Sequence, residues 1–186
     1  MSTWQRGRAL ALASVRRDGL DLAGFIEALP AQALPRIART AIYAVADAST
    51  VPQALLHNLK HNRVLHERNL LLTVRFLEQP VVDDERRAHV EPMGHGFWRV
   101  VLDFGFMEAP DVPRALQRCV APSLAIDPMA TSFYLSRETI VPVPGTGMAG
   151  WRERLFAAMS RNAGSVASFF RLPDNAVIEL GARIRI

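Results

Sequence analysis

Between Leu55 and Val74 the chain reads LLHNLKHNRVLHERNLLLTV. Three histidines, one lysine, two arginines and three asparagines crowd this stretch before it turns apolar. Such a set can chelate a metal, grip an anion or line a solvated helix. His57 and His61 are four apart, so a helix brings them to one face, where they can bind zinc with His66 or Glu67 completing the shell. The metalloprotease pattern H-E-x-x-H needs glutamate at position 58, and this chain has Asn58. No metal is therefore predicted. An anion is better matched. His57, Lys60, His61, Arg63, His66 and Arg68 supply donors, and a turn from helix to strand can aim several of them at one phosphate, such as that of a nucleotide.

Other patterns lead away from catalysis. Gly145, Gly147 and Gly150 spell G-x-G-x-x-G. A dinucleotide fold needs an uninterrupted strand before that motif and an acid about twenty residues after it. Pro142 and Pro144 break the preceding segment, and residues 165–173 hold no acid. Asp83, Asp84 and Glu85 are consecutive, which suits an exposed loop better than paired acid–base work. The chain has no nucleophile elbow, phosphate-cradling loop or C-x-x-C pair. The expectation is a protein that is not an enzyme and carries no cofactor.

The elements that must position these residues follow from periodicity. Residues 4–29 read as helical with a break near Asp18–Gly19. RTAIYAVAD (Arg39–Asp47) reads as a strand. A helix follows, with Pro52 among its early residues, Ser49 or Thr50 capping nearby and an end near Asn62. NLLLTVRF (Asn69–Phe76) is almost continuously apolar, as a strand covered on both faces requires. FWRVVLDFGF alternates from Phe97 to Phe106, which predicts a strand with one buried face. MGHG (Met93–Gly96) is turn chemistry that folds residues 86–91 back onto it as a hairpin. DVPRALQRC predicts a short helix, TSFYLSRE a strand, WRERLFAAMSRN a helix and the alternating tail NAVIELGARIRI a last strand. The sum is an α/β domain with a mixed, mostly parallel β-sheet flanked by helices and a central hairpin, its first two long strands joined by a right-handed crossover.

The chain has 186 residues, enough for one domain with a sizeable core. Its one cysteine, Cys119, fits a reducing compartment. No apolar run of bilayer length occurs in it, so the chain as written is expected to be soluble. The formal charge is +4, from 22 basic and 18 acidic residues. The arginines are scattered from Arg6 to Arg185 instead of gathered on one face, so nucleic acid is not expected as a partner.

Four segments carry a resemblance in collinear order. They are PQALLHNLKHNRVLHERNLLLTV, GFWRVVLDFGFMEAPDVPRAL, DPMATSFYLSRETIVP and WRERLFAAMSRNAGSVASFFRLPDNAVIELG. Together with Trp4, Gly7 and Arg8 they resemble the cytoplasmic C-terminal domain of the KUP/HAK/KT potassium uptake transporters. RIART (Arg36–Thr40), the stretch 117–126 and the loop 141–147 depart from the family pattern. The resemblance implies that residues 1–186 are one soluble cytoplasmic domain of a K⁺/H⁺ symporter, with residues 1–29 leading from the membrane. It implies a regulatory role, contact with the transporter's own transmembrane domain beneath an anionic inner leaflet, and a homodimer. It also admits sensing of an adenine dinucleotide second messenger through the His57–Arg68 donors. No ion-coordinating residue is assigned to this chain.

Overall fold

The computed structural model of the chain describes residues 9, 19–46, 48–119, 124, 126–141 and 165–185. The expected helix over 4–17, the G-x-G-x-x-G loop and the WRERLFAAMSRN segment therefore lie almost wholly outside the described residues. Within them a six-stranded sheet runs in the order β3-β4-β2-β1-β5-β6. The strands are β1 (Arg36–Ala44), β2 (Leu65–Leu77), β3 (Ala88–Gly94), β4 (Phe97–Gly105), β5 (Thr131–Val141) and β6 (Val177–Arg185). Only the β3–β4 pair is antiparallel; the four other pairings are parallel. The helices are α1 (Leu22–Ala28), α2 (Gln53–Asn62), α3 (Asp84–Arg87), α4 (Val112–Cys119) and α5 (Val166–Phe169). The fold is α/β, with a mostly parallel sheet between helical layers.

Alternation along the central strands divides the core in two. Ala41, Tyr43 and Leu71 face a core closed by Leu22 and Ile26 of α1 and by Ala54 and Leu55 of α2. Their strand neighbours Ile42, Leu70 and Leu72 face a second core closed by Val112, Ala115 and Leu116 of α4 and by Ala167 of α5. A strand buried on both faces must be apolar on both, and NLLLTV in β2 is. α1 is held at its start by Asp21, whose carboxylate accepts from the Gly24 N–H at 2.8 Å. An isolated bridge between Asp21 and Thr50 ties that entry to the loop before α2.

Several boundaries differ from the sequence reading, each for a local reason. β1 begins at Arg36 and ends at Ala44, three residues earlier at each end than RTAIYAVAD. Helix α2 begins at Gln53, with Pro52 in an extended conformation at its N-cap and no side-chain cap; Pro52 O accepts from the N–H groups of Leu55 and Leu56 instead. β2 begins at Leu65, so His66, Glu67 and Arg68 are strand residues; His66 pairs with Ile37 and Arg68 with Thr40 despite their polarity, across a register shift between them. β4 is not one-sided: Phe97 enters the α2 core while Val100, Leu102 and Phe104 enter the α4 core. Phe106 lies past the end of β4 and is exposed. The hairpin turns at His95–Gly96, flanked by glycines with φ of 86° and 79° at Gly94 and Gly96. In β6, Val177 and Leu180 pack against the two cores while Ile178 is exposed, and the side chains of residues 182–185 lie outside the described ones.

Leu71 touches no solvent in the middle of β2. Leu71→Ala should therefore cost about 2–5 kcal/mol, by lost burial plus the cavity left behind. Urea denaturation of the 186-residue chain checks this; an unchanged midpoint would mean that the two-faced core is wrongly drawn.

Candidate functional site

Helix α2 stops because Arg63 turns left-handed, with φ 51°, and returns its N–H to Leu59 O at 3.1 Å. A polar latch reinforces that stop. Buried Asn58 donates to Val64 O at 3.1 Å and accepts from Asn62 Nδ2 at 2.8 Å. Lys60 and His61 stand in the last turn, where the partial negative end of a helix favours cations. The rings of His57 and His61 stack at 5.8 Å, as the i, i+4 spacing predicts. His61, Arg63 and Arg68 are exposed, as is Lys60.

His66 is placed differently from the other five. It is buried, its ring meets the Tyr134 ring edge-on at 5.8 Å, and Tyr134 in turn stacks on Tyr43 at 4.9 Å. Burial, with the Arg39 charge beside it, holds its pKa below the ordinary histidine value. Its carbonyl accepts from Asn69 Nδ2 at 2.7 Å, and the same amide reaches Gly96 O at 3.3 Å. Arg36 donates to His95 O at 2.9 Å from the neighbouring strand. Arg36, Arg39, Lys60, His61, Arg63 and Arg68, all exposed, come from the last turn of α2, the turn after it and the first residues of β1 and β2. This is the amino end of the two strands. In open α/β sheets ligands settle at the carboxyl ends, where the strand order reverses, here between β1 and β5. Among the described residues no three His, Cys, Asp or Glu side chains converge as a metal set.

At the carboxyl end lies a charged cluster that sequence reasoning missed. Arg87 is buried against the Phe104 ring, with its guanidinium carbon 5.1 Å from the ring centre. It donates to Glu108 Oε1 at 2.7 Å, to Asp84 Oδ1 at 3.0 Å and to the Val82 carbonyl. Glu108 Oε2 accepts from the N–H groups of Gly105 at 2.6 Å and Val82 at 3.1 Å. Next to it buried Asp103 takes both arms of Arg75, at 2.7 and 2.8 Å, and lies 3.1 Å from His89 Nε2. Burial alone would raise the Asp103 carboxyl, but the Arg75 fork and then His89 outweigh it and hold it below its usual range. Burial likewise opposes ionisation of Glu108, and Arg87 with the Gly105 and Val82 amides reverses the balance. Gly105 lets the two loops touch, because a methyl there would overlap the Pro80 backbone. The cluster is a clamp. Its acids are committed to guanidinium groups and backbone amides, so their chemistry is structural. One signal for it was legible: an aspartate inside VVLDFG needs a partner on the next strand, and Arg75 is its register neighbour.

Residues 38–186 match the family described as the K⁺ potassium transporter C-terminal domain. The chain is 56% identical over all 186 residues to the probable potassium transport system protein Kup 2 of Albidiferax ferrireducens. It is 47% identical, over 188 aligned residues, to the probable potassium transport system protein Kup of Xylella fastidiosa strain 9a5c. In both cases the whole of this chain is covered but only 30% of the relative, so the chain spans under a third of the length of the proteins it matches. No solved structure matches it. No helix among the described residues is long and apolar enough to cross a membrane.

Two outcomes follow from the geometry. Arg87→Met leaves the Glu108 carboxylate and the Val82 carbonyl buried without their guanidinium and should cost about 3–5 kcal/mol in urea denaturation; a loss below about 1 kcal/mol would reduce the clamp to a surface ion pair. His66 has a folded-state pKa below the ordinary value of 6.5, so the unfolded chain takes up the proton first. Its contribution to stability is full above that value and is lost as pH falls from 6.5 toward the depressed folded value. His66→Gln should flatten the fall in urea midpoint through that window; identical slopes for variant and wild type would show that His66 titrates normally.

Proposed function

The chain belongs to the K⁺ potassium transporter C-terminal domain family, and from that premise we propose that it is the cytoplasmic regulatory and dimerisation domain of a K⁺/H⁺ symporter. It performs no catalysis. It acts by docking, against the transporter's own membrane part and against its twin, more tightly in one transport state than in another. Only such a difference in affinity can shift the balance between states.

One observation carries the docking reading. The carboxyl end of the sheet presents a ledge of large apolar side chains to solvent: Phe76 is 49%, Phe106 62%, Met107 73% and Phe169 57% exposed. Phe76 and Phe169 touch, with ring centres 6.0 Å apart. Phe106 and Met107 follow the end of β4, where their N–H groups bond to Gln79 O at 3.0 Å and Pro80 O at 3.1 Å. Several large apolar side chains exposed at one end of the sheet mark an interaction face, whereas single exposed apolar residues are ordinary. The Arg87 clamp ties the loop carrying Phe106 and Met107 to the segment around Val82, so little ordering of that part remains to be done on docking.

A second reading is supported by the other end. His57, Lys60, His61, Arg63 and Arg68, with Arg36 and Arg39, would supply the donors for an anionic ligand such as an adenine dinucleotide; all but the half-buried His57 are exposed, and His66 is buried. The negative end of α2 works against an anion there, and the side chains already near it offset that end. Calorimetry with a nucleotide panel tests this reading: it predicts heat that Lys60→Ala and Arg63→Ala both diminish, and no heat at high micromolar ligand would remove it.

For the docking reading the test is Phe106→Ser with Met107→Ser in the full-length transporter. Both side chains are on the surface, so folding should hold within about 0.5 kcal/mol for each change. K⁺ uptake should change several-fold, in rate or in its control. Wild-type flux, in this variant and after deletion of residues 1–186, would refute the proposal.

A further inference from the structure

The two edges of the sheet are built in opposite ways. At the β3 edge, Pro92 and a register shift between Pro92 and Gly94 interrupt the ladder, and Glu91 is tied to Arg99 at 2.7 Å. Proline, irregularity and charge are the usual means of keeping a strand edge from pairing. The β6 edge carries charge in Glu179, Arg183 and Arg185 but neither proline nor a register shift. It runs in unbroken register with β5, from Phe133↔Val177 to Val141↔Arg185, and contains no proline. Among the described residues no strand lies on its outer side. Ile178 is exposed there, and Glu179 makes a loose 3.6 Å pair with the mostly exposed Arg137.

The sequence of this strand, VIELGARIR, is complementary to itself about its central residue, Gly181. Set antiparallel to a second copy with a two-fold axis through Gly181, all nine residues find opposite numbers. Glu179 stands opposite Arg183 of the second copy, and Arg183 opposite its Glu179. Ile178 stands opposite Ile184, and Leu180 opposite Ala182. A shift by one residue sets Glu179 against an alanine or an isoleucine. A shift by two moves the charge pair onto Arg185 or loses it, and leaves strand residues unmatched. Opposite charges and apolar pairs placed directly across an antiparallel ladder each favour that register. A side chain added at Gly181 would meet nothing within 4 Å, so the axis position is open.

We infer that β6 is the self-association edge: two copies pair antiparallel through Gly181, joining two six-stranded sheets into one. This rests on the dimerisation part of the proposed function and names its surface, an isologous contact in which the same residues serve both copies.

The experiment uses the full-length transporter in detergent, with other cysteines replaced. Mass photometry across a dilution series reads the dimer, and oxidation reads Gly181→Cys. Glu179→Arg or Arg183→Glu turns two attractive cross-strand pairs into two repulsive ones and should weaken the dimer about tenfold. The Glu179→Arg/Arg183→Glu double variant restores both pairs and should return within about twofold of wild type, which a merely misfolded edge would not do. Gly181→Cys should crosslink copy to copy. A dimer indifferent to both single reversals and to Gly181→Cys would overturn the edge while leaving dimerisation standing. A monomer at all concentrations would overturn both. In either case K⁺ uptake by the Phe106→Ser/Met107→Ser variant still decides separately whether the domain acts by docking.

Discussion

A parallel strand pair cannot be left with one face in water. β1 and β2 lie at the centre of the sheet, with Ala41, Ile42, Tyr43, Leu70 and Leu71 all solvent-free, so both faces must be roofed by helices. That constraint settles most of the molecule. α1 and α2 roof one side and α4 and α5 the other. Once both faces are covered, function is confined to the two ends of the strands and the two edges of the sheet.

The ends differ in character. At the amino end, the left-handed stop at Arg63, the Asn58 latch and the Asn69 bridge to the hairpin fix the turn after α2, and the basic groups come from that turn and the elements flanking it. At the carboxyl end, buried Arg87 gathers Asp84, Glu108 and the Val82 carbonyl, and two loops are bound together as a platform for exposed aromatic side chains. Burying a guanidinium is costly unless every donor is answered, and here most are, by carboxylates and carbonyls. The result is a rigid apolar face backed by a polar clamp. Such an arrangement suits contact with another protein surface better than turnover of a small molecule.

Much of this was legible in the residues. The apolar run of β2, the alternation of β4 and the glycine-flanked turn at His95 each encode their element by local physics alone, and the α/β class followed from their order. Boundaries were less so. His66 and Arg68 in β2 are polar, and they are in the sheet because β1 pairs with them, a tertiary cause with no local signature. In the sequence His66 reads as a group that the turn after the helix could bring to His57 and His61; in β2 it instead meets the Tyr134 ring. Arg87 follows the acidic run Asp83–Glu85, which reads as an exposed loop. Its burial depends on Glu108, twenty-one residues away, and on Phe104 beneath it.

The central claim is that this domain works by pressing its apolar ledge against the rest of the transporter. Hydrogen–deuterium exchange of the segments 76–82 and 105–109 tests it most directly, measured once in the isolated chain and once in the full-length protein under the same conditions. Slower exchange of these segments in the full-length protein, altered again when K⁺ or the proton gradient changes the transport state, is the predicted result. Equal exchange in both proteins would contradict the account.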